Sequence, residues 1–196
     1  MLYYHVSRYV NKGDLLTKET KNNYDFCEYI SNCDVTTYEK VLTCYQHLCS
    51  KNTFEITQRK ESKWVSEAIF EYIRKTEYID MPSRIWGVYL SENLESARLF
   101  KNEYRRPIIN ERGEKLIGYI YEVEVPSEAK ICVFDMNIYS QADQILQNAI
   151  EKETFDELTF LSICSMAREY WNCEMSAYPQ REVLVECDIT IGEKVF

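Results

Sequence analysis

Two periods of hydrophobic spacing run along this chain, and they separate its strands from its helices. Residues 116–125 alternate apolar and polar positions and predict a strand. Residues 2–10, 84–91 and 130–135, and the closing runs 181–186 and 188–191, have the same β-branched and aromatic character. A helical period holds over 35–49, where Val35, Tyr38, Val41, Leu42 and Tyr45 repeat and Thr36-Thr37 supplies a start. It holds again over 61–78, where Trp64, Val65, Ala68, Ile69, Tyr72 and Ile73 form a stripe. Glu61, Lys63, Glu67, Glu71, Arg74 and Lys75 are expected to face away from that stripe. Ser91 is the expected cap of a helix carrying Leu94, Ala97, Arg98 and Phe100, with Glu95 in its first turn. Residues 139–151 and 154–171 complete the helices. Residues 11–34 read as polar connections, with turn signals at Gly13-Asp14, Asn22-Asn23 and Ser31-Asn32.

Strands and helices are mixed, and several strands follow residue 115, so the pattern predicts an α+β domain and not a regular βαβ alternation. A chain of 196 residues, 45% of them hydrophobic, suits one domain over 1–196 that needs no disulfide or metal to fold. With five glycines and no Gly-rich phosphate loop, it lacks the usual glycine cradle for a nucleotide.

The formal net charge of -9 argues against non-specific binding to nucleic acid, which needs a basic excess. Lys101, Arg105 and Arg106 make a local basic cluster that also reads as a solvated helix end. The opening Met-Leu-Tyr-Tyr-His has no charged segment leading into an apolar one, and no run is long enough to span a bilayer. Cytoplasmic residence without membrane partners is the expectation. The eight cysteines contain no CxxC pair, and Cys27, Cys33, Cys44 and Cys49 have spacings unlike a zinc site, even with His47 among them. They read as reduced, mostly buried small hydrophobes, with no metal.

Three polar residues in predicted strands carry the candidate chemistry: His5, Tyr89 and Glu182. Each also has a plain reading. His5 suits a hydrogen-bonded, half-buried strand residue, Tyr89 a sheet aromatic, and Glu182 a solvent-facing carboxylate with Glu186 as its rival. In this order they resemble the ADP-ribosyltransferase fold of the His-Tyr-Glu type, which includes diphtheria-toxin-like and poly(ADP-ribose) polymerase-like enzymes. There a His lies in the first strand, a Tyr in a strand that runs into a Ser-containing helix start, and a Glu in a later strand. The opening Tyr-His-Val-Ser-Arg and the closing Arg-Glu-Val-Leu-Val also resemble an uncharacterised bacterial domain-of-unknown-function family associated with that fold. The chain departs from the pattern in having Val6 and Ser7 after the histidine and long helical inserts before Tyr89.

The resemblance implies a split β-sheet core with helical insertions, one of them around 35–80, and NAD as a substrate. Breaking the nicotinamide–ribose bond passes through an oxocarbenium-like state. Glu182 would stabilise that charge, His5 would hold a ribose, and Tyr89 would stack on nicotinamide. Ser7, Arg8, Arg84 and Ser91 would complete the cofactor side, with Arg8 or, by preference, Arg84 after Pro82-Ser83 on the pyrophosphate. Gln180, two residues before Glu182 and so on the same strand face, would lie on the acceptor side. The expected activity is transfer of ADP-ribose from NAD to a protein or nucleic acid, in the manner of a toxin or defence effector. The alternatives are NAD-dependent removal of an RNA 2′-phosphate, which the acidic charge disfavours, and an inactive nucleotide- or protein-binding module.

Overall fold

The computed structural model describes residues 1–17, 24–50, 61–104, 107–109 and 113–195. The Asn22-Asn23 turn signal and Arg105 and Arg106 of the basic cluster lie outside them. The fold is mixed α+β. Its chain divides into two compact units: Met1–Asn22, Trp86–Val133 and Arg181–Phe196 form one, and Asn23–Ile85 and Phe134–Gln180 the other.

The first unit holds the sheets. Its strands are β1 (Leu2–Ser7), β2 (Leu15–Leu16), β3 (Val88–Leu90), β4 (Ile108–Ile109), β5 (Lys115–Leu116), β6 (Tyr119–Glu124), β8 (Arg181–Val185) and β9 (Ile189–Lys194). Strand β7 (Ile131–Asp135) starts in this unit and ends in the other. One sheet has the order β1-β6-β9-β2, a second the order β3-β8-β7, and β4 pairs with β5. β1 and β6 are antiparallel in unbroken register from Leu2↔Glu124 to Ser7↔Tyr119. Period-two alternation then sorts the side chains. Tyr3, Tyr121 and Val123 share a core with Val88, Leu90, Val183, Val185, Ile189 and Ile191. Val6 and Ile120, on the other face, pack against Ala97 of helix α4 (Leu94–Tyr104).

The register of β6 against β9 slips between Val123↔Ile191 and Tyr121↔Lys194. Gly192 lies at that slip. A Cβ there would stand 2.6 Å from the carbonyl oxygen of Glu122, so the strands meet at a distance only glycine permits.

The second unit is helical: α1 (Tyr24–Ser31), α2 (Tyr38–Ser50), α3 (Glu61–Glu77), α5 (Met136–Glu151) and α6 (Glu157–Trp171). Aromatic packing fills its centre. Phe134 stacks on Tyr170 at 4.5 Å and meets Trp171 edge-on at 5.2 Å. Trp171 donates its indole N–H to the Phe70 carbonyl at 2.9 Å.

Four expectations need correction. Glu67 and Glu71 do not face solvent but are buried at 6% and 1% exposure. Glu67 takes Nε of Arg84 at 3.1 Å, and Glu71 takes Arg74 and the Ser83 hydroxyl at 2.9–3.0 Å, so their burial is compensated. The strand expected over 84–91 is only Val88–Leu90, because Arg84, Ile85 and Trp86 form a turn. The cap of α4 is Asn93 and not Ser91: its Oδ1 accepts from the Ser96 amide at 2.9 Å. Residues 24–31 form α1 where a polar connection was expected.

Candidate functional site

The site begins where β1 meets β3. Tyr4 and Ser91 exchange both backbone hydrogen bonds, Tyr4 N–H to Ser91 O at 3.0 Å and Ser91 N–H to Tyr4 O at 2.8 Å. This is an isolated bridge and not the start of a ladder. Two residues along, the carbonyl of Tyr89 would be the next acceptor if the strands stayed together. There the imidazole Nδ1 of His5 stands 3.0 Å from that oxygen. A carbonyl can only accept, so Nδ1 carries the proton in this bond. The contact fixes the ring on two rigid strands.

Tyr89 pairs with Leu184 across β3 and β8, between Val88↔Val185 and Leu90↔Val183. Val88, Leu90, Val183 and Val185 point into the core. By alternation Tyr89, Glu182 and Leu184 turn to the opposite face. Continuing the register one step sets Ser91 against Glu182. One further step sets Glu92 against Arg181, and those two side chains do form an ion pair at 3.1 Å. Tyr89, Ser91 and Glu182 therefore occupy one face at the β3–β8 edge. His5 leaves β1 on the Tyr3 side, the side of Val88 and Leu90, and meets this group only at the Tyr89 backbone carbonyl. Glu182 is half-buried, whereas Glu186 is exposed beyond the end of β8.

The other expected residues divide between the units. Ser7 ends β1, half-buried, and its hydroxyl accepts from the Tyr9 amide at 3.1 Å. Arg8 follows it, also half-buried. Arg84 belongs to the helical unit and is 3% exposed. Its guanidinium meets Glu67, donates to the Tyr170 hydroxyl at 2.6 Å and lies 3.9 Å over the Tyr139 ring. Those contacts bury the guanidinium among protein partners. Gln180 is the last residue of the helical unit before β8.

Sequence reasoning missed what holds Gln180. Asp135 is fully buried and caps α5. Its carboxylate accepts from the amides of Asn137 at 3.0 Å, Ser176 at 2.8 Å and Gln180 at 2.9 Å. Met136 N–H donates to Gln180 O at 2.8 Å, and the Asn137 side chain donates to Tyr178 O at 2.6 Å. Burial pushes the Asp135 carboxyl up, but these donors outweigh it and hold the group below its ordinary range. The segment that leads into Glu182 is thus stapled to the start of α5. An Asp at the end of a strand and directly before a helix was the available signal.

Of the eight cysteines only Cys44, Cys132 and Cys164 are buried, so they are not mostly interior hydrophobes. Among the described residues no helix is long and apolar enough to cross a membrane.

A mixed α+β chain with polar residues gathered at the splay of two antiparallel strands is the class these observations define. The chain belongs to the family described as Protein of unknown function (DUF2441), whose model matches residues 3–195. No curated protein matches it.

Proposed function

We propose that the sheet unit binds NAD as a substrate and transfers its ADP-ribose to a macromolecular acceptor. The observation that carries this reading is the placement of Tyr89, Ser91 and Glu182 on one face, with His5 locked onto the Tyr89 carbonyl. The resemblance in the sequence supplies the chemistry; the register supplies a reason for those residues to act together.

In this reading the C–N bond between ribose and nicotinamide breaks, and its electron pair leaves with neutral nicotinamide. The acceptor's nucleophile then bonds to the ribose carbon and loses its proton. Glu182 lowers the energy of the positive charge that develops on the ribose. Its half-buried position strengthens that interaction relative to water. His5, oriented by its bond to Tyr89 O, holds a ribose. The Tyr89 ring offers a stacking face. Arg84 is buried among Glu67, Tyr170 and the Tyr139 ring, and Arg8 is the other candidate for the pyrophosphate. Gln180 faces the acceptor, on a segment that Asp135 holds rigid.

The test is nicotinamide release from NAD by the purified chain, with mixed proteins or RNA as acceptors. Wild type should release nicotinamide and be stabilised by millimolar NAD. Glu182→Gln should keep that stabilisation and lose at least about a hundredfold in release. No release and no stabilisation would overturn the proposal. Stabilisation without release under either acceptor would overturn transfer and favour a nucleotide-binding module.

A further inference from the structure

The helical unit holds a cavity of about 250 Å³ that has no part in the His5–Glu182 face. Among the described residues it is lined by Tyr45 of α2, by Glu61 and Ser62 in the first turn of α3, and by Gln147, Ile150 and Glu151 at the end of α5. All of them belong to the second unit. Sites for drug-sized ligands run from ~300 to ~1,000 Å³, so this one suits a guest smaller than a nucleotide.

Ser62 is 4% exposed, and its Oγ is buried with no hydrogen-bond partner. A buried hydroxyl in that state is a standing cost that a ligand in the cavity removes. Glu61 brings a carboxylate to which no described residue donates. Gln147 donates its Nε2 to Glu151 Oε1 at 2.7 Å, so its own side-chain oxygen remains an acceptor. An anion could use the amides at the start of α3, but it would lie against the carboxylates of Glu61 and Glu151. The end of α5 is the negative pole of that helix and favours a cation. An ammonium group, with three donors and no acceptor, matches this set of acceptors. Tyr45 and Ile150 supply ring and aliphatic surface for an alkyl chain.

We propose that this cavity binds a small aliphatic ammonium ion, a free amine or diamine, through Glu61, Ser62 and Gln147. The ammonium donates to Ser62 Oγ, to the Glu61 carboxylate and to the Gln147 side-chain oxygen. Its alkyl chain lies along Ile150 and Tyr45, and Glu151 balances a second charge where the ligand has one. The hydroxyl of Ser62 thereby gains the partner that the protein does not give it. None of these residues takes part in the NAD reading, so the two proposals stand or fall separately.

The experiment titrates putrescine, a short-chain diamine, into the full chain by calorimetry at physiological salt. The net charge of -9 attracts any cation to the surface, so two arms separate the cavity from that general attraction. Ser62→Ala changes no charge and removes a hydroxyl without a partner, so it should fold as wild type does and bind about tenfold more weakly. The bis-quaternary analogue of putrescine keeps both charges and has no N–H, so it should not fill the site. Wild type should show one saturable site for putrescine, and Glu61→Gln should weaken it by at least about tenfold. An acetylated lysine amide presents the same ammonium on a protein side chain and should bind less tightly than putrescine. No saturable site in wild type overturns the proposal, and so does equal binding of the quaternary analogue, which needs no variant. Unchanged affinity in a folded Ser62→Ala also overturns it. Tighter binding of the lysine derivative would overturn a free amine as the ligand.

Discussion

His5 Nδ1 stands 3.0 Å from the Tyr89 carbonyl, at the point where β1 and β3 part after a single bridge. A side chain thus reaches the carbonyl at the step where a ladder would supply a backbone amide. His5→Ala should therefore remove a donor from a part-buried acceptor and cost about 1 kcal/mol. Urea denaturation measures it, with the slope unchanged and the midpoint lowered. An unmoved midpoint would show that the bond contributes nothing to the fold.

Asp135 gives a pH signature. Its folded pKa is held below the unfolded one, so the native state binds fewer protons. The stability it contributes is present above the unfolded value of ~3.9 and is lost as pH falls through the folded value. Asp135→Asn should cost about 2 kcal/mol at pH 7. The gap between wild type and variant should shrink as the pH drops below ~4. A gap that stays constant down to strongly acid pH would refute the assignment. If Asp135 also positions the segment before Glu182, the variant should lose nicotinamide release under conditions where it is still folded.

The Arg84–Glu67 pair is buried at 3% and 6% exposure. Arg84→Ala should destabilise by about 3–5 kcal/mol, because it strands a buried carboxylate. The double variant Arg84→Met/Glu67→Leu should cost less than that single change, since no charge is then left unpaired. Thermal unfolding of the three proteins decides it. A double variant worse than the single one would mean that the pair's hydrogen bonds to its surroundings matter more than its charge.

Gly192→Ala should destabilise by about 1–3 kcal/mol, because the new Cβ would overlap the Glu122 carbonyl at 2.6 Å and push β6 from β9. Chemical denaturation reads the loss. Wild-type stability in that variant would mean that the slipped register relaxes at no cost.

Much of the fold was legible because long elements announce themselves by period. The expected helix over 61–78 is observed at Glu61–Glu77, and the closing strands are observed at Arg181–Val185 and Ile189–Lys194. Boundaries failed where a tertiary partner took a residue. Ser91 looks like a cap, but its backbone is paired with Tyr4, so Asn93 caps instead. Glu67 and Glu71 carry charge, which in sequence means solvent, yet Arg84, Arg74 and Ser83 make burial affordable.

The sequence by itself determined which residues could do chemistry and roughly which elements bear them. His5 lies in the first strand and Glu182 in β8, as local pattern predicts, whereas Glu186, expected within the run 181–186, falls beyond the strand's end. Only the tertiary structure decided their company. Strand register put Tyr89 and Glu182 on one face, a lone bridge set His5 against Tyr89, and a buried ion pair claimed Arg84. The reason is range: periodicity is written in neighbours a few positions apart, whereas His5 and Tyr89 are 84 residues apart. Contacts that distant are fixed by packing and hydrogen-bond satisfaction in the whole fold.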